Sequence, residues 1–243
     1  MNLTPLMKAA MIAVRDCMGA QPGENALVVT DTGKLAIAES FLYAFHSLGI
    51  DATLMVMTPR DHHAQEPPPE VRAAMLSSAV ALLITTKSLT HTHARVDATN
   101  QGVRIASLPG ITEDIMTVGA MTADYQKVSE LSWKLTKLME STQKVEITTE
   151  LGTHLVMSLI GRKPGLPPDD GIYREKGRWG NLPAGEAYIA PVEESVNGVV
   201  IVDGSQSPLG LLSAPIRITI QDGRAIKFEG GAEAAQFERH LNL

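Results

Sequence analysis

The stretch Ala26-Leu-Val-Val-Thr-Asp-Thr-Gly33, followed one helix-length later by Ala52-Thr-Leu-Met-Val-Met57, decides the fold. Ala26–Val29 is a short unbroken apolar run, the pattern of a strand buried on both faces. It ends in the polar turn Thr30–Gly33. Residues 35–48 then carry a helical pattern, and Gly49 stands where helices commonly stop. Two apolar runs joined by a single helix read as a strand–helix–strand unit with parallel strands.

The same alternation extends outward from this unit. Thr4-Pro5 suits the cap and first turn of a helix reaching Gly19. Pro67-Pro-Pro69 leads into a helix over 70–77, and Ala79–Ile84 is a third strand. Ser88 or Thr90 can cap a helix running to Asn100, closed by Gly102. Val103–Ser107 is a fourth strand. Thr112 caps a short helix with Glu113 and Asp114 in its first turn, and a longer helix spans 123–141. Such alternation predicts an α/β N-terminal domain, residues 1–142, with a mostly parallel sheet covered on both faces.

Near residue 143 the pattern changes. Lys144–Thr149 and Thr153–Ile160 read as a hairpin, and residues 161–182, rich in Gly and Pro, as irregular chain. Val199–Val202 is a strand. Ile216–Ile220 and Ala225–Phe228 flank Asp222-Gly223, a pair suited to the primed turn of a hairpin. A helix over 232–241 closes the chain. Residues 143–243 therefore form a β-rich α+β domain.

Composition excludes several classes. Of 243 residues, 44% are hydrophobic and 20% charged, which suits a globular protein and not a disordered one. A net charge of −6 without a basic run argues against a nucleic-acid partner. The single cysteine, Cys17, sits in an apolar helical segment and reads as a buried, inert thiol. The N-terminus carries no signal-peptide pattern, and no apolar run approaches the ~18 residues of a membrane span. A cytoplasmic protein with no membrane partner is the expectation.

Candidate chemistry falls in three places. The turn Thr30–Gly33, with Asp31, lies between a strand and a helix, where parallel sheets bind ligands, but it lacks both Gly-rich phosphate-binding spacings. Thr85–Arg95 is dense in donors, with Lys87, His91, His93 and Arg95, and reads as cleft lining. The pairs His62-His63 and His91/His93 do not share a helix face, so they make no helical metal site. The third place is the bent stretch Trp179–Gly198, with Glu186, Glu193 and Glu194 flanked by Asn181 and Asn197. A carboxylate there suits a divalent cation or general-base work. Ser195, Ser205 and Ser207 lack the context of an activated nucleophile.

Asn181-Leu-Pro-Ala-Gly-Glu186, Ile189-Ala-Pro-Val-Glu193 and Asn197-Gly198 resemble the aminopeptidase T family of metallopeptidases. Asn25–Thr32, Thr85–Thr92, Leu108–Thr112 and Phe228-Glu-Gly-Gly231 agree with it. The resemblance implies hydrolysis of N-terminal peptide bonds, a two-metal centre of zinc, cobalt or manganese, a peptide or other small-molecule substrate, and a homodimer. It makes Glu186 a metal ligand and leaves Glu193 and Glu194 as supporting groups. In that family the other ligands, a glutamate, a histidine and a His-x-Asp pair, follow beyond the Phe228-Glu-Gly-Gly231 motif. Here the sequence ends at Leu243. One carboxylate is too few for a catalytic divalent ion, so the expectation is an incomplete catalytic domain with weak metal binding and weak peptidase activity. Two alternatives accompany this reading. One is a non-catalytic small-molecule or protein-binding module using Thr30–Gly33 and Lys87–Arg95. The other is a one-iron, ring-cleaving dioxygenase-like protein of dihydroxypyridines on the same scaffold; its His/His/Asp set is not visible in the sequence.

Overall fold

A computed structural model describes residues 4–241. In chain order the elements are α1 (Pro5–Met11), which continues as the π-helical stretch Ile12–Cys17, β1 (Ala26–Asp31), α2 (Leu35–Ser47), β2 (Ala52–Met57), α3 (Pro69–Leu76), β3 (Val80–Ile84), α4 (His93–Asn100), β4 (Arg104–Ser107), α5 (Glu113–Thr117) and α6 (Tyr125–Ser141). Then come β5 (Lys144–Thr148), β6 (His154–Ser158), β7 (Trp179–Asn181), β8 (Asn197–Val202), β9 (Ser205–Gln206), β10 (Gly210–Leu211), β11 (Ile216–Gln221), β12 (Arg224–Glu229) and α7 (Gly231–Leu241). The chain divides into two compact units, Met1–Lys134 with Pro167–Ala187, and Leu135–Leu166 with Tyr188–Leu243. It is an α/β unit with a parallel sheet and a β-rich unit with an antiparallel one.

The first unit is built on the parallel order β2-β1-β3-β4-β7. Strand alternation sends neighbouring side chains to opposite faces. Val28, Leu82 and Ala106 pack with Phe41 and Phe45 of α2 and Val14 of the N-terminal helix. Val29, Leu83 and Ile105 pack on the other side with Val71 and Met75 of α3 and Ala94 and Ala98 of α4. Fully burying one such side chain stabilises by about 1.5–3 kcal/mol, so two continuous apolar layers hold the central strands. Cys17 is buried, and burial pushes its thiol pKa up, keeping it protonated.

Two local expectations are corrected. The helix expected from Ser88 or Thr90 starts at His93, capped by Thr92, whose hydroxyl accepts from Arg95 N–H. The preceding backbone is engaged elsewhere: Thr86 N–H bonds Asp31, Ser88 N–H bonds His63 Nδ1, and Thr90 N–H bonds Ser88 Oγ. Glu66 also reaches α4, its carboxylate accepting from His93 and Ala94 N–H at 2.5 and 3.2 Å. Secondly, Trp179–Asn181 is not irregular; it pairs in parallel with Ile105–Ser107 of β4 as the last strand of the first sheet. The segment Pro167–Ala187, assigned from sequence to the second domain, thus folds with the first unit. Gly180 permits this. A Cβ there would lie 2.2 Å from Asp169 Oδ1 and 2.4 Å from Tyr173 Oη.

The second unit carries the antiparallel order β12-β11-β8-β6-β5 and the small β10-β9 pair. Asp222 (φ +48°) and Gly223 (φ +75°) make the primed turn between β11 and β12. Ile216, Ile218, Ala234 and Phe237 form a small core between that hairpin and α7, with Phe228 and Phe237 edge to face at 5.9 Å. Among the described residues no helix is long and apolar enough to cross a membrane.

Candidate functional site

In the order β2-β1-β3-β4-β7, the connection from β1 runs to β2 on one side and the connection from β3 runs to β4 on the other. The crevice beyond the carboxyl ends of β1 and β3 is therefore the topological switch point, where open parallel sheets bind ligands. Two turns picked out in the sequence, Thr30–Gly33 and the start of Thr85–Arg95, meet there.

Asp31 joins them. It is fully buried, and its Oδ1 accepts from Gly33 N–H and Thr86 Oγ1, each at 2.9 Å, while Oδ2 accepts from Thr86 N–H at 2.5 Å. With both oxygens occupied, Asp31 ties the two turns together and offers little to a ligand. Lys34, not singled out from sequence, bonds Ile111 carbonyl at 2.8 Å and pins the loop after β4 beside the same crevice.

The donors lie at the ends of the next three strands, β3, β4 and β7. Thr90 donates to Asn181 Oδ1 at 3.1 Å and accepts from Ser88 Oγ at 2.9 Å. That leaves the Asn181 Nδ2 donors without a protein partner among the described residues. Lys87 is half-buried, and its ammonium has no carboxylate partner among them. Ser107, last residue of β4, is 1% exposed, and its hydroxyl has no hydrogen-bond partner. The register sets Ser107 beside Leu83 of β3 and Asn181 of β7. A polar residue ending an apolar strand was the available signal for Ser107.

Arg95 takes a structural role. Its Nε donates to Thr90 carbonyl at 2.6 Å, and its guanidinium lies 3.8 Å from the Trp179 ring centroid. Burial lowers its pKa. It stacks on β7 and fixes the backbone of Thr90. His91 and His93 are exposed. His63 Nδ1 accepts the Ser88 N–H at 3.1 Å, which places its ring proton on Nε2.

Below β7 lies a second polar group. The Tyr173 hydroxyl bonds the Asp169 carboxylate and lies 2.6 Å from Asn181 carbonyl, and Asn181 N–H donates to Asp169 at 3.2 Å. Burial pushes the Asp169 pKa up, against the hydrogen bonds from Tyr173 and Asn181 that lower it. Burial first, and then the Asp169 charge, raise the Tyr173 pKa, so the phenol stays protonated. Glu186 is held by its backbone, exchanging N–H···O bonds with Asp169 at 2.9 and 3.1 Å. Its side chain is exposed. Glu193 and Glu194 lie in the other unit; Glu193 pairs with Arg162, which lowers its pKa, and both carboxylates are exposed. Among the described residues no group of three His, Cys, Asp or Glu side chains is placed to hold a metal ion.

The family model for NicX, 2,5-dihydroxypyridine 5,6-dioxygenase, matches residues 7–243. This chain belongs to the NicX family. The match corrects the aminopeptidase reading and, with it, the assignment as a hydrolase and metalloprotease. The motifs quoted for that reading lie on a scaffold that both families share. A solved structure of 2,5-dihydroxypyridine dioxygenase from Pseudomonas putida KT2440 superposes with a TM-score of 0.77 at 14% identity, over 99% of this chain and 73% of that one. Wild-type AmpT from Thermus thermophilus superposes with a TM-score of 0.60 at 16% identity, over 98% of this chain and 74% of that one. At these identities the two structures establish the common fold. No curated protein sequence matches the chain.

Proposed function

We propose that this chain serves oxygen-dependent cleavage of a small hydroxylated N-heteroaromatic ring, 2,5-dihydroxypyridine being the first compound to try. The NicX-family match over residues 7–243 carries this reading. The switch-point crevice of the first unit supports it chemically. A dihydroxypyridine presents acidic ring hydroxyls and a ring nitrogen. The Lys87 ammonium favours the ionised form of a ring hydroxyl, and the Asn181 Nδ2 donors supply hydrogen bonds at the rim of an otherwise apolar sheet. The assigned roles are binding and orientation: Lys87 and Asn181 toward substrate oxygens, with Thr90 and Arg95 holding Asn181 and the loop in place.

Ring-cleaving oxygen chemistry calls for an activating centre, and we propose a metal, iron, as the cofactor. The described residues do not fit it. Asp31 is saturated by three hydrogen bonds, Glu186 stands without two further ligands, and the crevice otherwise offers hydroxyl, amide and ammonium groups. No metal ligand is therefore assigned. The reading is tested by oxygen consumption and loss of ring absorbance when the purified protein meets 2,5-dihydroxypyridine with and without added iron(II). Turnover that falls on Lys87→Ala through a raised KM supports it. Absence of both turnover and substrate binding under all these conditions sinks it.

A further inference from the structure

We propose that the loop joining β2 to α3, residues 58–68, is a strap across the switch-point crevice, and that His63 is a positioning residue whose neutral imidazole locks the strap and so directs Lys87. The site is the one proposed above for a hydroxylated ring, and only the identity of that ligand rests on that reading. β2 and β3 flank β1 in the sheet, so a loop that leaves β2 and docks beside β3 has to pass the carboxyl end of β1. It docks on the segment after β3. Ala64 N–H donates to Ser88 carbonyl at 2.8 Å, and Ser88 N–H donates to His63 Nδ1 at 3.1 Å. Further along, the Glu66 carboxylate takes the His93 and Ala94 N–H groups at the head of α4. Ala64 lies in the left-handed region, at φ +64°. A residue with a Cβ keeps that conformation where its surroundings impose it, and here the two bonds to Ser88 sit at and next to Ala64.

The strap acts on Lys87 through Ser88. On its other side Lys87 is braced by Thr86, whose N–H and hydroxyl both bond Asp31, and its own carbonyl accepts from Thr85 Oγ1 at 2.6 Å. The backbone of Ser88 completes this frame, so the strap fixes where the Lys87 side chain leaves the chain. The Ser88 contact also depends on charge. A backbone N–H can only donate, so His63 Nδ1 has to be unprotonated. An imidazolium would turn a second N–H against the first and bring a positive charge toward the Lys87 ammonium. The other charged and titratable groups of the strap and of the segment under it are Arg60, Asp61, His62, Glu66, Lys87, His91, His93 and Arg95. His62 Nδ1 lies 3.0 Å from His63 carbonyl and therefore donates, a bond that either protonation state of His62 can keep. Arg95 is turned inward to Thr90 carbonyl, and His91 and His93 are exposed. Loss of the His63 acceptor thus frees Ser88, and with it the frame of Lys87, as pH falls.

The experiment is ¹H–¹⁵N NMR of the ligand-free full chain from about pH 8 to about pH 5, the range in which imidazoles change charge, with equilibrium binding of 2,5-dihydroxypyridine at both ends. In wild type the Lys87 and Ser88 amide resonances are expected to move together with those of the His63 imidazole. The compound is expected to bind at least about tenfold more weakly at the low end, the scale of one charge-assisted hydrogen bond. Its own ionisation acts on every variant alike, so the comparison is with His63→Asn, whose Oδ1 accepts the same N–H and does not titrate. That variant should bind like wild type at the high end, keep a flat Ser88 amide, and lose most of the pH dependence. His63→Ala should bind weakly at both ends. A Ser88 amide that does not follow His63 overturns the proposal. So does a His63→Asn protein with the full pH dependence, or a His63→Ala protein that binds like wild type. A responsive Ser88 amide with no binding of the compound at any pH supports the strap and sinks the ligand reading instead.

Discussion

Replacing Gly180 by alanine tests the packing that brings β7 into the first sheet. A Cβ at this position would lie 2.2 Å from Asp169 Oδ1, 2.4 Å from Tyr173 Oη and 2.6 Å from Tyr173 Cζ. The tyrosine is fully buried and hydrogen-bonded at its hydroxyl, so it has little freedom to retreat. Overpacking a filled site costs about 1–3 kcal/mol. Displacing Tyr173 also weakens its bond to the Asp169 carboxylate, of a kind that contributes about 1.5–3 kcal/mol. The reduced freedom of the unfolded chain returns about 0.4–1 kcal/mol. The net expectation is a loss of about 2–4 kcal/mol. Both tryptophans, Trp133 and Trp179, belong to the first unit, so tryptophan fluorescence in a urea titration follows that unit's unfolding. Gly180→Ala combined with Tyr173→Phe should lose less than the sum of the two, since both act on one cluster. A loss below about 0.5 kcal/mol, or strict additivity, would refute the claim that Gly180 is required by this close approach.

Three other outcomes are expected. Asp31→Ala strands the Thr86 and Gly33 N–H groups and should cost the first unit about 2–4 kcal/mol, read by the same titration; a change within error would mean that the two turns hold without it. Ser107→Ala removes a buried hydroxyl that has no partner among the described residues, so stability should stay level or rise by up to about 1 kcal/mol, read by the same titration; a clear destabilisation would show that the hydroxyl is bonded. For Asp169, whose folded pKa lies above the unfolded value of about 3.9, the native state binds more protons between the two values. Its contribution therefore falls as pH rises through the folded pKa. Asp169→Asn lacks this penalty, so its stability relative to wild type should improve from pH 4 toward neutrality, measured by denaturation at each pH; a pH-independent difference contradicts the assignment.

The parallel core was legible because Ala26–Val29, Ala52–Met57 and Ala79–Ile84 are largely continuous apolar runs spaced by whole helices. The hairpin around Asp222-Gly223 was legible for a different reason, since that pair selects one turn geometry. β7 was not, because three residues, one a glycine, carry no periodicity, and what recruits them is the register with Ile105–Ser107. The start of α4 was obscured by Ser88, Thr90 and Thr92, each a competent cap; partners distant in sequence, Asp31, His63 and Glu66, make the choice. Within the site, Asp31, Lys87 and Asn181 were visible as polar residues at strand ends. Their roles were not, because whether a carboxylate receives a ligand or braces a loop depends on what already fills its lone pairs. The chemistry was hardest to read. Asn181–Glu186 belongs to a fold shared with the solved dihydroxypyridine dioxygenase and with AmpT, and a motif that shapes backbone does not by itself fix the chemistry.

The return of Pro167–Ala187 to the first unit has a consequence for synthesis on the ribosome. When Lys134 emerges, β4 still lacks its outer neighbour, and the strand that covers it is made only after the β5–β6 hairpin. During that interval the edge of β4 and the underside of the crevice are open. The nascent first unit is then exposed to mispairing until Asn181 is added, so chaperone dependence should peak over this window. A chain cut anywhere in 135–166 should fail to mature as an independent α/β unit, however complete its first four strands.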